Sequence, residues 1–181
     1  MACSLTLTGR SLPCRDALGG VKNVWIVGVA GGTANTSFTN DLWTYNDAVG
    51  DVVAKAGTVA HDYVSPKNTS SFTQTVNSSI ENGTIFYTQT LSLVLNKPVV
   101  ADVVELTNLA KGRLGIIVQD NNDNYFVMGH TRGAELSGGT LTTGTAIGDL
   151  AGYTLEFTAE EAIPAPFHDT TDTNLSLTPT A

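Results

Sequence analysis

Residues 71–98 read SFTQTVNSSIENGTIFYTQTLSLVLNKP, and this stretch decides the fold class. Phe72, Val76 and Ile80 alternate with Thr73, Thr75, Asn77 and Ser79. Beyond Glu81-Asn82-Gly83, one face collects Ile85, Tyr87, Leu91, Leu93 and Leu95. The other collects Thr88, Thr90 and Ser92, with Phe86 and Val94 towards its ends. Strand side chains alternate with a period of two, and Asn-Gly between two alternating runs is the strongest short-range hairpin signal. The stretch predicts a long hairpin with one aliphatic face and one almost uncharged face of hydroxyls and amides.

On the C-terminal side, Asn96-Lys97-Pro98 opens a predicted helix over 98–111. Asn96 can cap it and Pro98 suits its first turn. Val99, Val103, Leu106 and Ala110 form an apolar stripe, Asp102 and Glu105 face away, Lys111 sits in the last turn and Gly112 ends it. Strands follow at Leu114, Ile116 and Val118, then at Tyr125 to Gly129 across the turn Asp120-Asn121-Asn122-Asp123-Asn124. A weaker, glycine-broken strand runs from Gly133 to Thr143. A strong one places Tyr153, Leu155 and Phe157 opposite Thr154, Glu156 and Thr158, and Pro164 and Pro166 end it. Residues 168–181 (HDTTDTNLSLTPTA) read as a polar tail.

On the N-terminal side, Val21 to Ala30 is apolar on both faces, Val21, Trp25, Val27 and Val29 against Val24 and Ile26, as a strand covered on both sides would be. Residues 31–70 carry Phe38, Leu42, Trp43 and Tyr45 without a sustained period. Long irregular segments are uncommon inside compact domains and usually functional, so this one reads as a loop or arm that packs on something. The expected architecture is a single domain over 1–181: mainly β, a β-sandwich or barrel with one helix across an open side.

Composition narrows the function. Only 14% of the 181 residues are charged, against about 25% in an ordinary soluble domain. Seventeen acids against nine bases give a net charge of -8, the opposite of what phosphate neutralisation requires. No run approaches the ~18 apolar residues of a membrane span, and Met1-Ala2-Cys3-Ser4 does not begin like a secretory signal, so a soluble, non-exported protein is expected. Cys3 and Cys14 are too few for a disulfide scaffold and lack zinc-site spacing; whether they pair is open.

Candidate chemistry is sparse. Asp120, Asn122 and Asn124 sit at calcium-loop spacings, but Tyr125 stands where the loop needs glycine and Thr131 where it needs glutamate, which favours a hairpin turn. Gly28-Val29-Ala30-Gly31-Gly32 lacks the following helix of a nucleotide-binding turn. His61, His130 and His168 share no ligand spacing, and Glu160 and Glu161 fall on opposite faces of a continued strand. No nucleophile motif, metal set or cofactor motif stands out. A glycan-binding sandwich would need an exposed aromatic platform, for which Trp43 and Tyr45 are the available pieces.

The pattern of small motifs nevertheless has a counterpart. Asn108-Leu109-Ala110-Lys111-Gly112-Arg113, Ile116-Ile117-Val118 with the Asn-rich turn, and Phe126-Val127-Met128-Gly129 recur in order. Gly133-Ala134-Glu135-Leu136, Thr143-Gly144-Thr145-Ala146, Gly148-Asp149 and Gly152-Tyr153-Thr154-Leu155 continue it. With Cys14-Arg15-Asp16, the Trp25 strand and the Asn77 to Leu91 hairpin, about two thirds of the chain resembles the tail tube (major tail) proteins of tailed bacteriophages.

That resemblance implies a non-enzymatic virion protein, assembled in the host cytoplasm, without cofactor. Six copies would form a ring whose hairpins build a continuous inner barrel, and stacked rings would conduct DNA without binding it specifically. Partners would be further copies and other tail proteins: tape measure, sheath, terminator, baseplate. Phe72, Val76, Tyr87, Leu91 and Leu93 would pack on the core and on the Val103 and Leu106 side of the helix. Thr73, Thr75, Asn77, Thr88, Thr90 and Ser92 would face the lumen, and Phe38, Leu42, Trp43 and Tyr45 would contact the next ring. A β-sandwich binding or decoration protein, or a neck or terminator protein, is the alternative.

Overall fold

The computed structural model describes residue 9 and residues 16–28, 43–46, 51–54 and 59–168; within 43–54 and at Val59, side chains are described only for Trp43, Val52 and Ala54. Phe38, Leu42, both cysteines and residues 169–181 lie outside the described residues, as does the Tyr45 side chain. The elements are β1 (Val21–Gly28), β2 (Trp43–Asn46), β3 (Asp51–Ala54), β4 (Val59–Tyr63), β5 (Ser71–Ser79), β6 (Thr84–Asn96), α1 (Asp102–Leu109), β7 (Gly115–Asp120), β8 (Tyr125–Met128), β9 (Glu135–Thr142), β10 (Gly152–Glu161) and β11 (Phe167–His168).

They form two sheets, a larger one in the order β2-β3-β11-β8-β7-β1-β4 and a four-stranded one in the order β5-β6-β10-β9. All pairings are antiparallel except the short β11–β3 contact. The chain is therefore mainly β, as its alternation requires. The central core lies between the sheets, where Ile26, Ile116, Val118 and Met128 meet Leu91, Leu93, Leu155 and Phe157. Phe72 of the smaller sheet also stacks on Phe126 of the larger at 5.9 Å.

β1 is covered on both faces, as its continuous apolar run predicts. Trp25 and Val27 join Trp43, Val52, Ala54, Ile117 and Val127 in a second cluster, while Val24 and Ile26 face the smaller sheet. Val21 departs from the expected alternation: an irregularity between Val21 and Asn23 moves it to the inter-sheet cluster.

The segment read as an arm over 31–70 is corrected where it is described. Residues 43–46, 51–54 and 59–63 are β2, β3 and β4, paired within the larger sheet. Trp43 is only 3% exposed, so it covers the second cluster of its own chain and is not available to contact another ring. The tail read from His168 is corrected as well, because His168 is buried in β11 beside β3.

The helix is shorter than expected and rotated. Asn96 ends β6 opposite Gly152, Lys97 turns the chain with a φ of 57°, and α1 starts only at Asp102. Asn96 does not cap it; the Asp102 carboxylate accepts from the Val99 N–H at 2.7 Å and so fixes the turn that leads into the helix. Leu106 and Leu109 turn to the core, whereas Val103 is 62% exposed. The expectation that Val103 packs inward is wrong, since the buried stripe runs from Leu106 to Leu109. Tyr63 donates a hydrogen bond to Glu105, tying β4 to α1.

Candidate functional site: an open sheet with a threonine face

β5 and β6 form the predicted hairpin, with Ser79 paired to Thr84 around a four-residue loop. Gly83 sits there at φ 62°, a left-handed conformation that glycine adopts without a Cβ penalty, and its N–H donates to the Ile80 carbonyl at 3.3 Å. Register then fixes the faces. Thr73 pairs with Thr90, Thr75 with Thr88, Asn77 with Phe86 and Ser71 with Ser92. β10 carries the rows on, placing Glu156 opposite Ser92, Thr158 opposite Thr90 and Glu160 opposite Thr88. The six residues expected to line a lumen therefore share the outer face of one four-stranded sheet. Asn77 Nδ2 donates to Thr88 Oγ1 at 2.7 Å, and Thr158 Oγ1 to Ser137 Oγ at 3.0 Å.

The charge of this face is one-sided. None of the four strands contains lysine or arginine, and its exposed charges are the carboxylates of Glu135, Glu156 and Glu160. Arg113, from outside the sheet, pairs with Glu135 at 2.9 Å. Sequence reading found the threonines by alternation but missed the three glutamates, which only cross-strand register brings into the same rows.

On the inner face, Leu91 and Leu93 are fully buried, Phe72 packs against them and Tyr87 is half-buried. Val76, expected in the core, is 56% exposed. The hairpin runs past the end of the core, and among the described residues Val76, Ile80 and Ile85 stay exposed.

A buried polar group lies under the same hairpin. Glu161 is 1% exposed, and its Oε1 accepts the N–H groups of Thr131 at 3.0 Å and Arg132 at 2.8 Å. Gln89 Oε1 accepts from the Gly129 N–H at 3.1 Å. His130 Nδ1 lies 3.9 Å from Glu161 Oε2; burial holds the His130 pKa below its ordinary value, and the Glu161 charge opposes that shift. Glu160 and Glu161 do face opposite ways. The group ties the turn after β8 to the small sheet. No cluster of three metal-ligating side chains occurs among the described residues.

The Asn-rich segment forms a hairpin turn. Asp120 Oδ1 accepts the N–H groups of Asn122 and Asn124, both at 2.8 Å, and Oδ2 accepts their side-chain amides. Burial works to raise the Asp120 pKa, but these four hydrogen bonds outweigh it and hold the carboxyl below its usual range. Asn122 also bonds to both backbone groups of Leu18, fastening the segment before β1.

The two ends of the small sheet are open: among the described residues, β5 pairs only with β6 and β9 only with β10. Beside β9, a cleft of about 510 Å³ runs between it and α1, lined by Leu106, Ala110, Gly139, Leu141, Tyr153 and Leu155 among others. No protein-family model matches the chain, and no curated protein matches it at a significant level.

Proposed function

We propose that this protein is a structural subunit that closes into a ring of six and stacks into a hollow tube, the tail tube of a tailed bacteriophage, through which DNA leaves the virion. The observation that carries this reading is the β5-β6-β10-β9 sheet, which among the described residues is open at both edges and faces outward with threonine, serine and carboxylate side chains.

An unpaired strand edge invites association, and closure into a barrel removes it. The four strands alternate in direction, so when copies stand side by side by rotation, β9 of one runs antiparallel to β5 of the next. This is a heterologous contact that closes on itself. Barrels of 16–18 strands already enclose water. Six four-stranded sheets, at about 4.8 Å between strands tilted 35–45°, would close at a backbone diameter of roughly 45–50 Å, leaving room for duplex DNA.

The lining suits passage rather than binding. Phosphate contacts by lysine and arginine hold DNA through counterion release, and the four strands offer neither residue. In this reading the protein performs no catalysis and needs no cofactor, and its partners are its own copies and other tail components. A glycan-binding role is less well supported, because Trp43 is buried and cannot serve as a platform. The test is electron microscopy of the purified protein at high concentration: six-fold rings or tubes are expected, and a protein that remains monomeric under every condition overturns the reading.

A further inference from the structure

The register of the small sheet says how one copy meets the next. β5 is centred on Thr75, yet the row through the centre of β6, Thr90, crosses β5 at Thr73. The same row meets β10 at Thr158, beyond that strand's midpoint, and the midpoint of β9 lies lower again, by the row Gly138–Glu156. Strand centres thus slip in one direction across the whole sheet, by about 1.5 residues per strand. With ~3.4 Å per residue and ~4.8 Å between strands, that slip tilts the strands about 45° from the axis of a ring, at the upper end of the range found in closed barrels.

We propose that β5 of one copy adds to β9 of the next with Thr75 opposite Thr140, an inference that rests on the ring reading above. One further slip of the same size carries the centre of β5 to residue 140. Parity allows no neighbouring choice: Thr75 and Thr140 both lie on the outer face, so registers through 139 or 141 would turn the threonines inward. Side chains agree with this register. Val76, 56% exposed in the single chain, falls opposite Gly139, which leaves room for it, and beside Leu141, which is 57% exposed. It thereby enters the apolar cleft between β9 and α1, floored by Leu155 and flanked by Leu106. β5 carries no charge and β9 carries none after Glu135, so no like charges oppose each other along the joint.

Cysteine pairs test this directly. In a Cys3→Ser, Cys14→Ser background, Thr75→Cys with Thr140→Cys places two thiols on adjacent strands, within disulfide reach only if those positions face each other. Mild oxidation of assembled protein is expected to give a ladder of covalent oligomers ending at six. Mixing the two single variants should give covalent dimers only, which keeps the test available if the double variant does not fold. Thr75→Cys paired with Gly138→Cys or with Thr142→Cys should crosslink far less. Rings that crosslink best through either of those pairs, or through none, overturn this joint while leaving the ring intact. Absence of rings in the uncrosslinked protein overturns the ring reading and this joint with it.

Discussion

Gly115 leaves the space that the Trp43 ring occupies: a Cβ built on Gly115 would stand 3.0 Å from Trp43 Cζ2. Trp43, at the start of β2, thus closes over β7 at a position where an added Cβ would press on its ring. Gly115→Val is expected to destabilise the protein by about 1–3 kcal/mol, the usual cost of forcing extra volume into a packed core. Valine favours strands, so propensity alone predicts the opposite sign. Chemical denaturation separates the two, and an unchanged or raised midpoint would mean that Trp43 does not pack there.

Glu161 should distinguish a structural carboxylate from a dispensable one. Glu161→Ala removes the acceptor of the Thr131 and Arg132 N–H groups, and a loss of roughly 1–3 kcal/mol is expected. Glu161→Gln keeps an acceptor oxygen and removes a buried charge, so it should cost clearly less. Equal losses for the two variants in urea unfolding would argue against the hydrogen bonds as the source.

The turn at Asp120 gives an acid-sensitive contribution. Its carboxyl pKa is depressed in the folded state, as are those of Asp123, held by Lys22, and Asp149, held by the Ala146 and Thr145 N–H groups. A depressed folded pKa stabilises the protein above the unfolded value, about 3.9, and that stability is lost as pH falls through the folded value. Unfolding midpoints should therefore drop below about pH 4. Asp120→Ala should cost roughly 1–2 kcal/mol at neutral pH and flatten the acid limb. An acid limb of undiminished slope in that variant would place the titration elsewhere.

Thr88 and Thr90 are proposed to line the lumen. Thr88→Lys with Thr90→Lys leaves the inner face untouched, so assembly should persist. The charged lining should now hold DNA, with an affinity that falls steeply as salt rises, and should slow passage. Binding of short duplexes to assembled tubes, compared across salt concentrations, reads this out. Salt-independent or absent binding would contradict a lumen position for these two residues.

Alternation made the hairpin, β7 and β10 legible, a continuous apolar run marked β1, and the Asn-rich turn marked β8 as the partner of β7. β2, β3 and β4 are four or five residues long with no sustained period, and they are placed by pairing with strands far away in sequence, β4 on β1 and β3 on β11. The helix misled through its valines. Val99 and Val103 extend an apparent stripe, but the chain uses Leu106 and Leu109 against the core and leaves both valines exposed. Val76 misled because alternation gives a face and not how far the opposing sheet reaches. The buried Gln89 and Glu161 were invisible as a group, since their partners are backbone N–H groups of Gly129, Thr131 and Arg132, in a turn far away in sequence.

In the proposed ring, the small sheet of each copy is completed by its neighbours around a common axis. Two-dimensional class averages of the purified, concentrated protein test it most directly. Hollow rings with six-fold symmetry, singly or stacked, are the predicted result; particles that stay the size of one chain at every concentration and salt condition would contradict it.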